Sequence, residues 1–345
     1  MKTLRVLAAG AIALALAYTP VTASAQGLRF TGYADFEASV SNIGSGNSES
    51  QFDAGHFNLL ANGKLYKDLF ASAEVEFEHA GDEIGLEYGF ITYTGIRNVR
   101  ISAGKFLVPF GSFNKDIHPS FINKLPGRPL GFRHIVPTGY SDVGIWLSGG
   151  APAGDGVTVT YDAFIVNGLM GDDGGDIRGL RDNITDELPG GGVDDNKAVG
   201  GRLGIVVAPQ GLSFGVSGYT GNYVNVADSS LTLSMFDFDA LYQHQGFELR
   251  GEVVFANQDA TGGDLTKKGA YIQAAYLTKV HFEPIIRFSF KDMPGNSLDA
   301  RRVALGASYY LSPNSSVRFA YNLNYEDSGF KTDNNQIMTQ FNVLF

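Results

Sequence analysis

The last residues of the chain alternate between apolar and polar side chains, as a β-strand with two unlike faces does. Ile337, Thr339, Phe341, Val343 and Phe345 fall on one face, and mostly polar residues lie between them. Successive side chains of a strand point to opposite faces of the sheet. The pattern therefore predicts a final strand whose outer face meets lipid and whose inner face meets water.

The same alternation recurs along the chain and indicates an all-β fold. Residues 69–78 place three glutamates on one face, and residues 280–291 and 317–326 set aromatic positions against charges and amides. Consecutive inward charges would be costly in a dry core because each buried ion needs a partner. They cost little in a water-filled lumen, so the pattern favours a transmembrane antiparallel β-barrel over a soluble sandwich.

The connections between the predicted strands alternate in length. Tight turns lie near residues 67–68, 97–98, 152–155, 209–211, 245–246, 278–279 and 313–314. Longer polar stretches lie near residues 43–51, 80–83, 109–139, 169–196, 222–229, 258–267, 292–299 and 326–334. Seven turns and eight loops predict about 16 strands, with the turns periplasmic and the loops extracellular. A barrel of this size encloses an aqueous channel.

The start of the chain has the pattern of an export signal. Lys2 and Arg5 precede an apolar run over residues 6–18, and small residues follow at positions 23–25. This predicts a cleaved signal peptide over residues 1–25 and a single outer-membrane barrel domain over residues 26–345. Beyond the signal, no apolar run reaches the roughly 18 residues that a spanning helix needs.

Composition and charge exclude several classes of function. The chain has no cysteine, which removes disulfides, thiol catalysis and thiolate metal sites. Its formal net charge of −10 makes a nucleic-acid partner unexpected. The histidines at positions 56, 118, 134 and 281 accompany no serine nucleophile motif, so we predict neither an enzyme nor a cofactor site. A lipid-modifying barrel enzyme is the alternative that this leaves.

One segment reverses the acidic character of the chain. Residues 97–134 hold seven lysines and arginines against the single acid Asp116, a formal charge of +6. The third long loop, which falls in this segment, also contains Phe110, Phe113, Phe121 and Phe132. A loop with this many aromatic rings is expected to pack against the protein rather than extend into solvent. Folding into the barrel would place its cations at the narrowest part of the pore.

Two motifs flank the start of this loop and suggest a family. They read Glu87-Tyr88-Gly89-Phe90-Ile91-Thr92-Tyr93 and Gly104-Lys105-Phe106-Leu107-Val108-Pro109-Phe110-Gly111. Over about residues 83–134 the chain resembles the phosphate-selective porin O and P family. The resemblance implies a 16-stranded, usually trimeric barrel that passes phosphate or related small anions. It also implies an inward-folded third loop whose basic residues would constrict the pore, here Lys115, Lys124, Arg128 and Arg133.

The barrel wall is expected to carry charges of both signs. The inward positions include Arg100, Arg287, Arg302, Arg318, Glu74, Glu76 and Glu78. If the two signs segregate to opposite walls, they create a field across the pore. Alternatively, they pair with neighbours and only solvate the wall. Lys105 is a separate case, because alternation points it at lipid. Either a bulge at Gly104 turns it inward, or it lies above the hydrocarbon and its side chain reaches the lipid headgroups.

These patterns predict an outer-membrane porin in contact with lipid and lipopolysaccharide. Its expected function is passive diffusion of small hydrophilic solutes, with a preference for anions such as phosphate. A general diffusion porin with little selectivity and a loop-plugged structural barrel stay open as alternatives. The acidic loop 169–196 is either a solvated surface loop or a site for Ca²⁺ or Mg²⁺, although its spacing lacks the 12-residue calcium pattern.

Overall fold

The computed structural model describes residues 27–44, 48–136, 139–169, 197–224, 230–260, 262–294, 300–326 and 334–345. These residues form sixteen strands. The first eight are β1 Arg29–Gly44, β2 Glu49–Tyr66, β3 Leu69–Glu78, β4 Glu83–Ile96, β5 Val99–Leu107, β6 Ser141–Pro152, β7 Val157–Val166 and β8 Ala198–Val207. The second eight are β9 Leu212–Val224, β10 Ser230–His244, β11 Phe247–Gln258, β12 Leu265–Tyr276, β13 Phe282–Asp292, β14 Ala300–Ser312, β15 Ser315–Glu326 and β16 Asn334–Leu344.

Each strand pairs antiparallel with its neighbours in sequence, and the sheet closes on itself. Closure occurs between β1 and β16, where Asp35 lies opposite Asn342 and Phe36 lies opposite Phe341. A closed barrel leaves no unpaired sheet edge. The predicted 16-stranded antiparallel barrel is thus confirmed, and its fifteen strand connections fall where the seven turns and eight loops were predicted.

The seven turns join the strands at one end of the barrel, called the turn end. The strand ends that the other eight connections join lie at the opposite end, called the loop end. Two 3₁₀ turns span His79–Gly81 and Ala208–Gln210. Residues 108–140, called the inward loop, connect β5 to β6 and contain a π-helical turn at Phe113–Ile117 and a short helix at Gly131–His134. No helix among the described residues is long and apolar enough to cross a membrane.

The two faces of the barrel wall differ in polarity, as the alternation predicted. Phe57, Phe288 and Phe341 are exposed on the outer face. On β13, Glu283 and Arg287 alternate with such outward residues and are almost fully buried inside. The apolar exterior suits lipid, and the polar interior suits water or a polar loop.

Lys105 lies on the outer face, as one of the two predicted alternatives proposed. The β4–β5 register runs without a shift past Gly104, so no bulge turns the lysine inward. Its Nζ donates a hydrogen bond of 2.5 Å to the carbonyl oxygen of Leu86. The register shift in this region lies instead between β3 and β4, where Glu87 is passed over by the pairing and is buried.

Candidate pore constriction

The inward loop fills part of the lumen and packs its aromatic side chains against the wall. Phe110, Phe113 and Phe132 are each at most 2% exposed. The rings of Phe113 and Phe132 lie 5.5 Å apart, and Phe132 packs edge-on against Tyr271 of β12 at 5.2 Å. Phe121 contacts Tyr33 of β1 at a ring distance of 4.6 Å. The prediction that these rings pack against the protein is confirmed, and they supply the loop with an apolar core.

A pair of glycines brings the loop backbone against the wall. A Cβ atom added to Gly131 would lie 2.9 Å from Cα of Gly269 on β12. No real side chain fits in that space, so only glycine permits this approach. The short helix that begins at Gly131 therefore lies directly on β12.

The first half of the loop is anchored on β9 and β11. A carboxylate oxygen of Glu252 accepts hydrogen bonds from the Ser112 hydroxyl at 2.8 Å and the Phe113 amide at 2.9 Å. The Gly111 amide donates to the Ser217 hydroxyl at 3.0 Å. Hydrogen bonds to a buried carboxylate are among the stronger ones in proteins. The loop is thus held inward from its first turn.

The second half is anchored by arginines of β13 and β15, further round the wall. Arg318 of β15 donates to the carbonyl oxygens of Ser120 and of Phe121, the latter at 2.8 Å. Arg287 of β13 donates to the carbonyl oxygen of Gly127 at 3.2 Å. Because the carbonyl groups that accept these hydrogen bonds are neutral, they do not neutralise the positive charge of the two guanidinium groups.

Two of the four predicted constriction cations form ion pairs with the wall. Lys115 lies 2.7 Å from a carboxylate oxygen of Asp162 on β7. Lys124 lies 2.5 Å from Glu283 on β13 and 3.0 Å from Glu248 on β11. Their charges are largely neutralised locally, so their main structural effect is to hold the loop.

The other two predicted constriction residues differ in position. Arg128 faces a cavity beside the inward loop. Arg133 belongs to the helix Gly131–His134, and its side chain lies outside the described residues. A constriction role for all four basic residues stays a prediction.

The predicted wall charges are partly segregated. Glu74, Glu76 and Glu78 lie together on the inward face of β3. Across the closure of the barrel, Arg287, Arg302 and Arg318 occupy the inward faces of the adjacent strands β13, β14 and β15. None of these three arginines forms an ion pair with a carboxylate of the described residues. Arg302 instead donates its Nε to the side-chain oxygen of Asn324 at 2.7 Å.

Other wall charges pair with neighbours, as the alternative interpretation predicted. Arg202 binds Asp239 at 2.7 Å, and Arg250 binds Glu248 at 2.7 Å. Arg100 is exposed near the turn end of β5. The wall therefore combines local ion pairs with one arc of arginines that lack acidic partners among the described residues.

A cavity of about 400 Å³ lies between the inward loop and the wall. Its lining includes the carboxylates of Asp35, Glu37 and Glu78 and the guanidinium groups of Arg128 and Arg302. Charges of opposite sign facing the same polar space set up a field across it. A solute that enters this cavity would meet both signs of charge.

The sequence interpretation missed several acids that hold the loop and its neighbours. Asp142 of β6 accepts hydrogen bonds from the Tyr140 hydroxyl at 3.0 Å and the Gly168 amide at 2.8 Å. Asp162 receives both Lys115 and the indole N–H of Trp146, the latter at 3.0 Å. The signal was present in the alternation: Asp162 falls between outward Tyr161 and Ala163 positions in β7, which marks it as inward.

Two groups outside the strands have shifted pKa values. Burial raises the pKa of the Asp116 carboxyl above its ordinary value, and the nearby Lys115 opposes that shift. A hydrogen bond of 2.8 Å to Asp53 raises the pKa of the His79 imidazole. His118 of the inward loop has its Nδ1 2.9 Å from the Asn114 carbonyl oxygen.

The barrel is similar to solved structures of outer-membrane proteins. No protein-family model matches the chain. The anion-selective porin from Comamonas acidovorans superposes with a TM-score of 0.66 at 15% identity, over 92% of this chain and 99% of that porin. The chain has the porin fold. The trimer form of OmpT, an outer membrane protein of Vibrio cholerae, matches with a TM-score of 0.62 at 12% identity, over 92% of this chain and 99% of that one.

A sequence relative is found in Aquifex aeolicus (strain VF5), in a protein described as uncharacterized. The two are 26% identical over 252 residues, which cover 63% of this chain and 54% of the relative. The chain thus spans about half the length of the curated relative that it matches. At 12% to 15% identity, the similarity to the two solved structures shows a shared fold and nothing more.

Proposed function

We propose that this chain is an outer-membrane channel through which small hydrophilic solutes diffuse passively, and that residues 1–25 are its cleaved export signal. A closed barrel with an apolar exterior and a polar interior supports passage across a bilayer. The inward loop narrows the lumen beside a cavity of about 400 Å³, which has room for small solutes. The porin fold supports the same assignment.

We further propose a preference for anions such as phosphate. The observation that carries it is the arc formed by Arg287, Arg302 and Arg318, which has no ion-paired carboxylate among the described residues. Positive charge that is not neutralised beside a narrow, low-dielectric pore attracts anions and repels cations. Arg128 also lines the cavity. Guanidinium groups also match the geometry of phosphate oxygens, in keeping with the resemblance to the phosphate-selective porin O and P family.

A general diffusion channel with little selectivity is the second candidate. Asp35, Glu37 and Glu78 face the same cavity as Arg128 and Arg302. These carboxylates offset the charge of the guanidinium groups, which would reduce the net preference for either sign of ion. Polar neutral solutes would then pass as readily as anions.

The proposed environment follows from the outer face. Exposed apolar side chains cover the outer face of the barrel, so we propose outer-membrane lipid and lipopolysaccharide as its surroundings. We also propose a homotrimer, on the resemblance stated above and on the trimer form recorded for the Vibrio cholerae OmpT protein. Chemical crosslinking in native membranes tests the subunit number.

Planar-bilayer recording tests the channel and its selectivity together. The reversal potential in a KCl gradient is measured for the wild type and for Arg302→Gln. Arg301→Gln is the matched control, because Arg301 is the adjacent residue and its side chain is exposed. We expect anion preference in the wild type and the control, a shift towards cations in Arg302→Gln, and block of chloride current by phosphate.

Three other outcomes separate the alternatives. Weak selectivity that Arg302→Gln leaves unchanged would favour the general diffusion channel. Strong cation preference in the wild type would refute the anion preference and leave the channel assignment standing. Absence of conductance from well-folded protein would favour a barrel that its inward loop plugs.

A further inference from the structure

A histidine and two glutamates converge on the inward face of β2 and β3. His56 of β2 is the direct cross-strand partner of Glu78 of β3, and Asn58 is the partner of Glu76 one row along. One nitrogen of His56 and one oxygen of each glutamate lie within 4.8 Å of one another. We propose that His56, Glu76 and Glu78 bind a divalent transition-metal ion of the zinc class.

The distances fit three ligands of one small ion. Nε2 of His56 lies 3.5 Å from an oxygen of Glu78 and 4.0 Å from an oxygen of Glu76. Zinc bonds to histidine nitrogen and carboxylate oxygen measure about 2.0 to 2.2 Å, so two ligand atoms of a tetrahedral site lie roughly 3.3 to 3.6 Å apart. The His56–Glu78 pair already has this spacing. A small rotamer adjustment of Glu76 completes the set and leaves a fourth position open to water or a solute.

The imidazole is oriented for this role by a carboxylate behind it. Nδ1 of His56 lies 2.8 Å from an oxygen of Asp35, whose side chain is 1% exposed. That hydrogen bond occupies Nδ1 and turns Nε2 towards the two glutamates. Metal-binding histidines in proteins regularly donate their other nitrogen to a carboxylate in this way, which fixes the tautomer and raises the basicity of the ligand.

The backbone makes room for the orienting carboxylate. A Cβ atom added to Gly55 would lie 2.5 Å from Oδ1 of Asp35, so any larger residue there would displace this carboxylate. Gly55 lies where the β1–β2 register shifts, between the pair Asp35–His56 and the pair Glu37–Asp53. Asp35 also accepts a hydrogen bond from the Ser120 hydroxyl of the inward loop. The second layer of the site is thus built from three separate segments of the chain.

The donor set selects among metals. Imidazole nitrogen is a ligand for zinc and other transition ions, whereas Ca²⁺ and Mg²⁺ prefer oxygen ligands only. The Glu76 oxygen accepts a hydrogen bond of 3.1 Å from Asn58 Nδ2, which limits how far its carboxylate can turn away from the site. All three ligands stand on paired strands, which hold their positions more rigidly than loops do.

The ion would sit on the pore wall. Asp35, His56 and Glu78 line the same cavity as Arg128 and Arg302. A bound divalent cation would offset the negative charge of the carboxylates that line this cavity. It would thereby strengthen the effect of the arginines on passing anions. The ligand set itself does not depend on the channel assignment, so metal binding can be tested apart from conductance.

Cobalt absorption spectroscopy on untagged, full-length protein in detergent tests the proposal. Co²⁺ in a nitrogen–oxygen site of low coordination number gives visible absorption that hydrated Co²⁺ lacks. We expect this absorption at one Co²⁺ per chain, its loss on addition of one equivalent of Zn²⁺, and its persistence in excess Ca²⁺. His56→Gln should abolish it, and His244→Gln, an exposed histidine at the turn end, should leave it unchanged.

Asp35→Asn separates the positioning residue from the ligands. It keeps all three ligand groups and removes only the orienting charge, so affinity for Zn²⁺ should fall about 10- to 100-fold without loss of the site. Glu78→Gln is the second ligand variant, which keeps the test usable if His56→Gln does not fold. The difference in gel migration between heated and unheated samples checks that each variant is folded.

Specific results would overturn the proposal. Wild-type protein without visible absorption at millimolar Co²⁺ would mean that His56 is only an imidazolium paired with carboxylates. Equal binding in wild type and His56→Gln, or displacement of Co²⁺ by equimolar Ca²⁺, would mean an unselective acidic surface. Failure of the channel assignment would appear as absent conductance with the Co²⁺ spectrum intact.

Discussion

The ion pairs of Lys124 allow a sharp test of how the inward loop is held. Lys124→Met removes the charge and keeps most of the side-chain volume, which leaves Glu283 without its partner at 2.5 Å. Breaking a buried pair from one side costs about 3 to 5 kcal/mol. The Lys124 side chain is 18% exposed, Glu283 retains the Tyr310 hydroxyl at 2.6 Å, and Glu248 retains Arg250 at 2.7 Å. We therefore expect a loss of about 2 to 3 kcal/mol in the free energy of loop docking.

Hydrogen exchange measures this loss directly. A tenfold change in an equilibrium corresponds to about 1.4 kcal/mol, so amides of residues 112–126 should exchange roughly 30- to 150-fold faster in Lys124→Met. Lys268→Met is the matched control, because Lys268 is half exposed and 4.0 Å from Asp292, and such surface pairs contribute little. Exchange in the control should match the wild type.

A double variant distinguishes the loss of the Lys124–Glu283 attraction from the cost of leaving the Glu283 carboxylate buried without a partner. In Lys124→Met combined with Glu283→Gln, no buried carboxylate is left unpaired, so most of the protection should return. Exchange in Lys124→Met within twofold of the wild type, with the barrel intact, would refute the reasoning. It would mean that the aromatic contacts and backbone hydrogen bonds hold the loop without help from the ion pair.

Three further predictions concern packing, strand spacing and proton affinity. Phe132→Ala should lower stability by about 3 to 5 kcal/mol in urea unfolding from liposomes, because it removes a buried ring from the loop core. Gly144→Ala should lower stability or block folding, because its Cβ would meet a backbone oxygen of the neighbouring strand, whereas Gly85→Ala meets nothing within 4 Å and should be neutral. In NMR titration, the pKa of His79 should lie above its ordinary value and return towards it in Asp53→Asn. Since the folded pKa is raised, the His79 ion pair should be complete below about pH 6.5 and lost as pH rises through the raised value.

The basic loop illustrates what local sequence cannot show. Its charge and aromatic content predicted that it folds inward, and the burial of Phe113 and Phe132 confirms this. The sequence could not reveal that Lys115 and Lys124 meet Asp162 and Glu283. Those partners lie tens to more than a hundred positions away, and only barrel closure and the loop path bring them together.

The arginine arc illustrates the same limit on the wall. Alternation identified Arg287, Arg302 and Arg318 as inward, because strand geometry alone fixes the parity of a side chain. Whether an inward arginine has an acidic partner depends on the register of the neighbouring strands and on the loop in front of it. Arg318 meets loop carbonyl groups, while Arg250 meets Glu248 on its own strand.

The sequence by itself determined the strand number, the turns and the polarity of each face. Those features depend on a two-residue repeat and on turn residues, which are properties of short segments. The tertiary structure decided which charges are neutralised, where the inward loop is anchored and which side chains converge on His56. Those features depend on contacts between distant segments, and the closed hydrogen-bonded register of sixteen strands fixes them.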